Sequence, residues 1–177
     1  MRVLGIDPGT WATGYGLLSA ESSVTALDWG AVSFKKGTPL EHRLHRIYLA
    51  LSDIIDLGQP QELAVEDPFL GRGHHTYPAP AIALGQAQAA ALMAAARHNV
   101  PVFRYSPAEV KLAVADYGRA SKEQVQELLA RQLGLELPFA VADAADALAV
   151  ALCHLRRRQS DDALQGRVSS GWLGGRA

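Results

Sequence analysis

The chain opens with three short apolar runs broken by turn residues. Residues 2–7 ("RVLGID"), about 12–20 and about 24–34 read as β-strands, and the short turn-rich stretches between them, "DPGTW" and "AESS", favour an antiparallel meander. From Pro39 to Leu57 the period lengthens. Leu40, Leu44, Ile47, Leu51, Ile54 and Ile55 recur every three or four residues, which predicts an amphipathic helix ended by "DLGQPQ". "ELAVED" at 62–67 returns to strand patterning and stops at Pro68, which cannot donate to a ladder. "FLGRGHHTYPAP" reads as a loop carrying aromatic and basic side chains. An alanine-rich helix over about 79–99 follows, then a strand in "PVFRYS". Three more helices are expected, over about 107–117, 121–133 and 141–158, the second capped by Ser121 with Gln124 three residues on. The order predicts an α/β domain over residues 1–158, a mixed five-stranded sheet flanked by helices. The tail, 159–177, is rich in serine and glycine and poor in apolar residues, and is expected to be disordered.

Composition narrows the class. At 177 residues, 49% of them apolar, the chain is long enough for one well-buried core. No apolar run approaches the roughly 18 residues of a membrane span, and no cleavable signal opens the sequence, so a soluble cytoplasmic protein without membrane contact is expected. Cys153 is the single cysteine, which excludes an internal disulfide or a cysteine-rich zinc site. A net charge of −1 means that any acidic partner has to meet a local basic patch.

Four carboxylates stand out against this background. Asp7 ends the first strand on the face shared by Val3 and Gly5, and Glu66 ends the fourth on the face of Ala64, just before a proline. An Asp before Pro-Gly is also ordinary turn chemistry. In "ADAADALAVAL", Asp143 and Asp146 are three apart, about 60° round a helix. That helix is apolar on both sides, with Ala147, Val150 and His154 near the acids and Leu148, Leu152 and Leu155 nearly opposite, so it belongs in the interior. Buried like charges this close repel unless a cation neutralises them, and hard oxygen donors point to magnesium or manganese. Asp143 alternatively caps the helix. Phosphate-loop signatures are absent, "GYG" at 14–16 is too little to count as one, and His42, His45, His74 and His75 read as surface or loop residues.

Together "LGIDPGTWATGYGLL", "AVEDPF", "LGQAQAAAL", "YSPAEVKLAVADYGRASKEQVQ" and "DAADALAVALCH", in this order and spacing, resemble the RuvC family of Holliday-junction resolvases, which have a ribonuclease H-like fold. The resemblance covers most of the first 155 residues. It implies a homodimeric endonuclease of homologous recombination and DNA repair, nicking two strands of a four-way junction symmetrically to leave a 5′-phosphate and a 3′-hydroxyl. It also implies two Mg2+ per site, with Mn2+ a substitute, held by Asp7, Glu66, Asp143 and Asp146, and work alongside the RuvA and RuvB branch-migration proteins. Phe69 falls where the family carries a base-stacking aromatic; a core residue following a strand is the other reading. Lys111 and Lys122 match basic positions near the scissile phosphate, and Arg72, His74, His75 and Arg119 are further candidate phosphate contacts. Asp67 reads as structural.

Three other functions share parts of the pattern. A non-catalytic junction-binding module gains nothing from four acids facing phosphate. An actin-like or sugar-kinase ATPase needs two such lobes. A ribonuclease H acting on hybrids shares the fold and metal logic, and the ordered match to the resolvase motifs, especially "GQAQ" and "EVKLAVADYG", disfavours it. The alanine-rich helix, through Ala83, Ala87, Ala90, Ala91 and Ala94 with Gly85, offers either a dimer interface or close packing on its own sheet.

Overall fold

The computed structural model describes residues 1–67, 78–116 and 119–171. Five strands, β1 (Arg2–Asp7), β2 (Ala12–Ala20), β3 (Val24–Ser33), β4 (Glu62–Glu66) and β5 (Val102–Tyr105), form one sheet in the order β3-β2-β1-β4-β5. The first three make the antiparallel meander expected of their short connections, and β4 and β5 add in parallel after helical crossovers.

Side-chain alternation along β1 and β4 divides the core in two. Leu4, Ile6, Leu63 and Val65 face α1 (Leu40–Gly58) and α2 (Pro78–Arg97). Val3 and Ala64 face the opposite layer of α3 (Pro107–Ala115), α4 (Lys122–Leu133) and α5 (Ala142–Gly171). The alanines of α2 are used inside the chain: Ala87, Ala90, Ala91 and Ala94 are buried in the α1 layer, which is the close-packing alternative and not a free surface.

Helix α5 is sandwiched between the sheet and α3, and all of Ala144, Ala145, Ala147, Leu148, Ala149, Val150 and Ala151 are buried. Its approach is unusually close because β1 and β2 present glycines to it. A Cβ on Gly5 would stand 2.1 Å from the Ala147 carbonyl oxygen, and one on Gly14 would stand 2.0 Å from that of Asp143. The "GYG" run therefore serves helix packing.

Two expectations are corrected. Helix α5 does not stop near 158; it continues to Gly171. Residues 162–165 are exposed, Leu164 among them, so this stretch stays helical without being packed against the core. An extension costs no new nucleus. It is helped by the Arg157–Asp161 pair, one helical turn apart at 3.6 Å. Asp143 is not the cap of α5 either, because the helix begins at Ala142 and places it in the first turn, where an acid suits the positive end of the helix dipole. Residues 172–177 lie outside the described residues. Among the described residues no helix is long and apolar enough to cross a membrane.

Candidate active site

Strand ends bring the acids together. Asp7 and Glu66 close the adjacent strands β1 and β4, and both point to the α5 side. With Asp146 they line a cavity of about 210 Å³, completed by Pro107, Val110, Lys111, Lys122 and Val125. Asp143 is not part of that lining, yet its charge acts on Asp7. The close seating of α5 on Gly5 and Gly14 allows this meeting.

Electrostatics mark Asp7 as the most strained group. Its pKa is raised from 3.8 to about 7, first by burial and then by Glu66, Asp146 and Asp143, with Lys122 opposing. Glu66 is raised by burial and by Asp146, against the pull of Lys122 and Lys111. Lys122 Nζ donates to Asp146 Oδ2 at 2.6 Å, and that bond raises its own pKa. Lys122 is the first residue of α4, fixed there by the Ser121 capping box in which Ser121 Oγ accepts from the Gln124 amide at 3.2 Å.

These residues fit a hard divalent cation by donor type and by charge, since three carboxylates face one cavity with two lysines beside them. The fit is not that of a finished cage: among the described residues no three donors stand close enough together to enclose one ion. Lys122 occupies Asp146, so a cation taking that carboxylate replaces an existing ion pair.

The remaining candidates divide. Lys111 and Lys122 join the acids as expected. Arg119 is exposed on the α3–α4 connection and is not among the lining residues. Phe69, Arg72, His74 and His75 fall outside the described residues. Asp67 is structural in its contacts: Oδ1 accepts from Gln88 Nε2 at 2.8 Å, while its amide donates to the Tyr105 carbonyl at 2.8 Å. Gln88, the last residue of "GQAQ", thus holds the side chain directly after Glu66, and Tyr105 holds its backbone.

A network at the other end of α5 escapes sequence reasoning. His154, 1% exposed, meets Glu62 Oε2 at 2.5 Å through Nε2 and the Tyr105 hydroxyl at 2.7 Å through Nδ1. A carboxylate only accepts, so Nε2 carries the proton and Tyr105 donates to Nδ1. Burial lowers the His154 pKa and pushes that of Tyr105 up to about 12, which keeps both in those states. Arg158 completes the set with a two-pronged bond to Glu62. The signal was the "CH" that ends the apolar α5 run, but its partners are up to 92 residues away.

A mixed sheet in this order, with acids at the ends of β1 and β4 and on the helix crossing them, defines a ribonuclease H-like α/β fold carrying a carboxylate site. The chain matches the family described as "Crossover junction endodeoxyribonuclease RuvC" over residues 3–154. A RuvC of Dehalococcoides mccartyi is 47% identical over 160 residues, covering 89% of this chain and 93% of that protein. The structure of Thermus thermophilus RuvC aligns with a TM-score of 0.80 at 32% identity, covering 91% of this chain and 97% of that one. The same bacterium's RuvC in complex with Holliday junction substrate also aligns at 0.80, with 34% identity over 88% and 93% of the two chains. The chain belongs to the RuvC family.

Proposed function

We propose that this protein is a crossover junction endodeoxyribonuclease, which resolves four-way DNA junctions by metal-dependent nicking of two strands during recombination and repair. The observation that carries the reading is the convergence of Asp7, Glu66 and Asp146 on one cavity with Lys111 and Lys122. Relatives across nearly the whole chain are named for that activity, and one is captured with junction DNA.

Asp7, Glu66, Asp143 and Asp146 would hold the metal, two Mg2+ per site with Mn2+ as substitute. When bound, such ions supply Lewis-acid charge at the phosphate and a more acidic water. The chain's own groups do the rest. Asp7, nearest the middle of the sheet, orients the attacking water opposite the leaving oxygen. Lys111 and Lys122 offset phosphate charge as the P–O3′ bond breaks. Water adds to phosphorus, and the departing oxygen takes up a proton, leaving a 5′-phosphate and a 3′-hydroxyl. Phe69 stacks on an opened base, and Arg72, His74, His75 and Arg119 contact phosphates.

Symmetric nicking asks for two sites related by a two-fold axis, hence a homodimer. The outer face of α2 is available for it, with Ile82 61% and Met93 57% exposed. RuvA and RuvB are the partners the family implies, and the cytoplasm is the compartment.

A gel assay on a mobile four-way junction and a matched linear duplex, with and without Mg2+ or Mn2+, tests the reading. Paired symmetric nicks confined to the junction and to metal are expected. Tight junction binding without cleavage under either metal would instead make this a binding module, and preferred cleavage of an RNA–DNA hybrid would make it a ribonuclease H.

A further inference from the structure

We propose that Trp11 is an additional nucleic-acid contact of this enzyme, a fixed stacking platform in the turn that follows Asp7, which receives an unpaired base. The proposal rests on the nuclease reading above. Trp11 follows Asp7 by four residues, so the chain cannot carry its Cα more than about 14 Å from that of Asp7. It is 50% exposed in a turn where small and polar residues are the rule.

The indole is held in place from one side. The Arg43 guanidinium lies 3.9 Å from the ring centroid and donates through Nη1 to the Thr10 carbonyl at 2.8 Å. The turn itself is tied down, because the Trp11 carbonyl accepts from the Phe34 amide at 3.0 Å and Thr13 Oγ1 donates to the Gly9 carbonyl at 2.6 Å. Arg43 is only 8% exposed, has no carboxylate partner among the described residues, and leaves its Nε without a hydrogen bond. Burying a cation so incompletely paired is costly. What it secures is one face of an indole, with the other left to solvent.

The surroundings select the occupant. Lys35 and Lys36, both exposed, directly follow Phe34, and exposed Arg46 stands one turn beyond Arg43, with the acid Glu41 at the start of the same helix. An exposed indole backed by one cation, with further exposed cations on the adjoining segments, suits base stacking beside a phosphate backbone, and a purely apolar protein partner has no use for the lysines. Helix α1 and the pair α3 and α4 lie on opposite faces of the sheet. The acids share the α3 and α4 side with Lys111 and Lys122, while the Trp11 turn continues the chain from Asp7 and is held from the α1 side by Arg43.

The test measures junction binding by the full chain in chelator across a salt series, with Trp11→Ala, Trp11→Phe and the double substitution Lys35→Ala, Lys36→Ala. Trp11→Ala should weaken binding about tenfold at every salt concentration without changing the slope of log Kd against log salt. Trp11→Phe should recover most of the loss, and the lysine pair should reduce the slope. A folded Trp11→Ala that binds within twofold of the parent overturns the proposal. So does weaker self-association in sedimentation with junction affinity unchanged, which would assign the indole to a protein contact. Should Trp11→Ala not fold, the protein carrying Trp29→Phe and Trp172→Phe keeps Trp11 as the sole indole. Junction should quench its emission, and unchanged emission overturns the proposal. A parent that neither binds nor cuts junctions takes down the nuclease reading along with this one; a parent that cuts while the Trp11 variants match it removes this one alone.

Discussion

Strand β4 carries a glutamate at each end, on the same face and under the same helix, and the two live in opposite circumstances. Glu62 is 13% exposed by its side chain and fully partnered, with Arg158 and His154 both bonded to it. Burial raises its pKa, but those hydrogen bonds outweigh it and the net shift is downward. Glu66 faces Asp7 and Asp146, and its pKa goes up. One carboxylate is neutralised by the fold and the other is left in need of charge. The difference separates a carboxylate that holds α5 in place from one whose charge the fold leaves without a partner of its own among the described residues, although residue type, strand and face are shared.

The largest expected effect breaks the pair apart. Glu66→Gln should lower junction cleavage by more than about a hundredfold, since losing even an outer-sphere group of a metal site costs up to that much. Its melting temperature should hold or rise, because a repelling charge is gone. A Glu66→Gln enzyme that still cuts at a parental rate would place Glu66 with Glu62 as structural.

Next in size is the response of Asp7 to pH. Its folded pKa of about 7 lies above the ordinary 3.8, so between those values the folded state binds more protons than the unfolded one. Stability of the metal-free protein should therefore fall as pH rises through that window and level off above it. Asp7→Asn should leave only the weaker trend that Glu66 contributes, and at pH 8 it should be more stable than the parent by on the order of 3 kcal/mol, or roughly 6 to 12 °C in Tm. Divalent cation should raise the Tm of the parent at pH 8 but not that of Asp7→Asn. Thermal melts at pH 5 and pH 8, with and without Mg2+, read all of this; a parent whose Tm is flat across that range would mean the acids do not repel.

Glu62→Gln tests the partnered end. It leaves Arg158 without its carboxylate and His154 with a weaker acceptor, for a loss of about 2 kcal/mol, discounted because Arg158 is partly exposed. Cleavage per folded molecule should stay near parental at temperatures well below the transition. Lost cleavage in a variant with parental Tm would contradict the division between the two ends.

Much of this contrast was legible in the residues, and its limits have a physical cause. Strand ends, helix periods and the Ser121 capping box are local, so Asp7, Glu66 and the Asp143–Asp146 pair could be placed on their elements from pattern alone. Long-range partners could not. Nothing near Glu62 in the sequence distinguishes it from Glu66, because Arg158 reaches it from 96 residues away. The glycines of "GYG" looked like a failed phosphate loop, and only the crossing of α5 shows why a Cβ is excluded at Gly14. The end of α5 was placed too early for a related reason: low apolar content forecasts the absence of packing, and a helix already nucleated does not need packing to continue.

The smallest effect sharpens the comparison by reaching the site through a cap. Ser121 Oγ accepts from the Gln124 amide, and the Gln124 side chain returns a bond to the Ser121 amide at 2.9 Å, fixing the first turn of α4. Lys122 begins that turn and bridges to Asp146. Ser121→Ala should cost about 1 kcal/mol of stability, the usual worth of an N-cap. Most of that loss falls on the turn carrying Lys122, so cleavage should drop several-fold while Glu62 and its partners are undisturbed. If Ser121→Ala lowers Tm by the few degrees expected and cleavage does not change, Lys122 needs no fixed position, and its bridge to Asp146 belongs to the resting site alone.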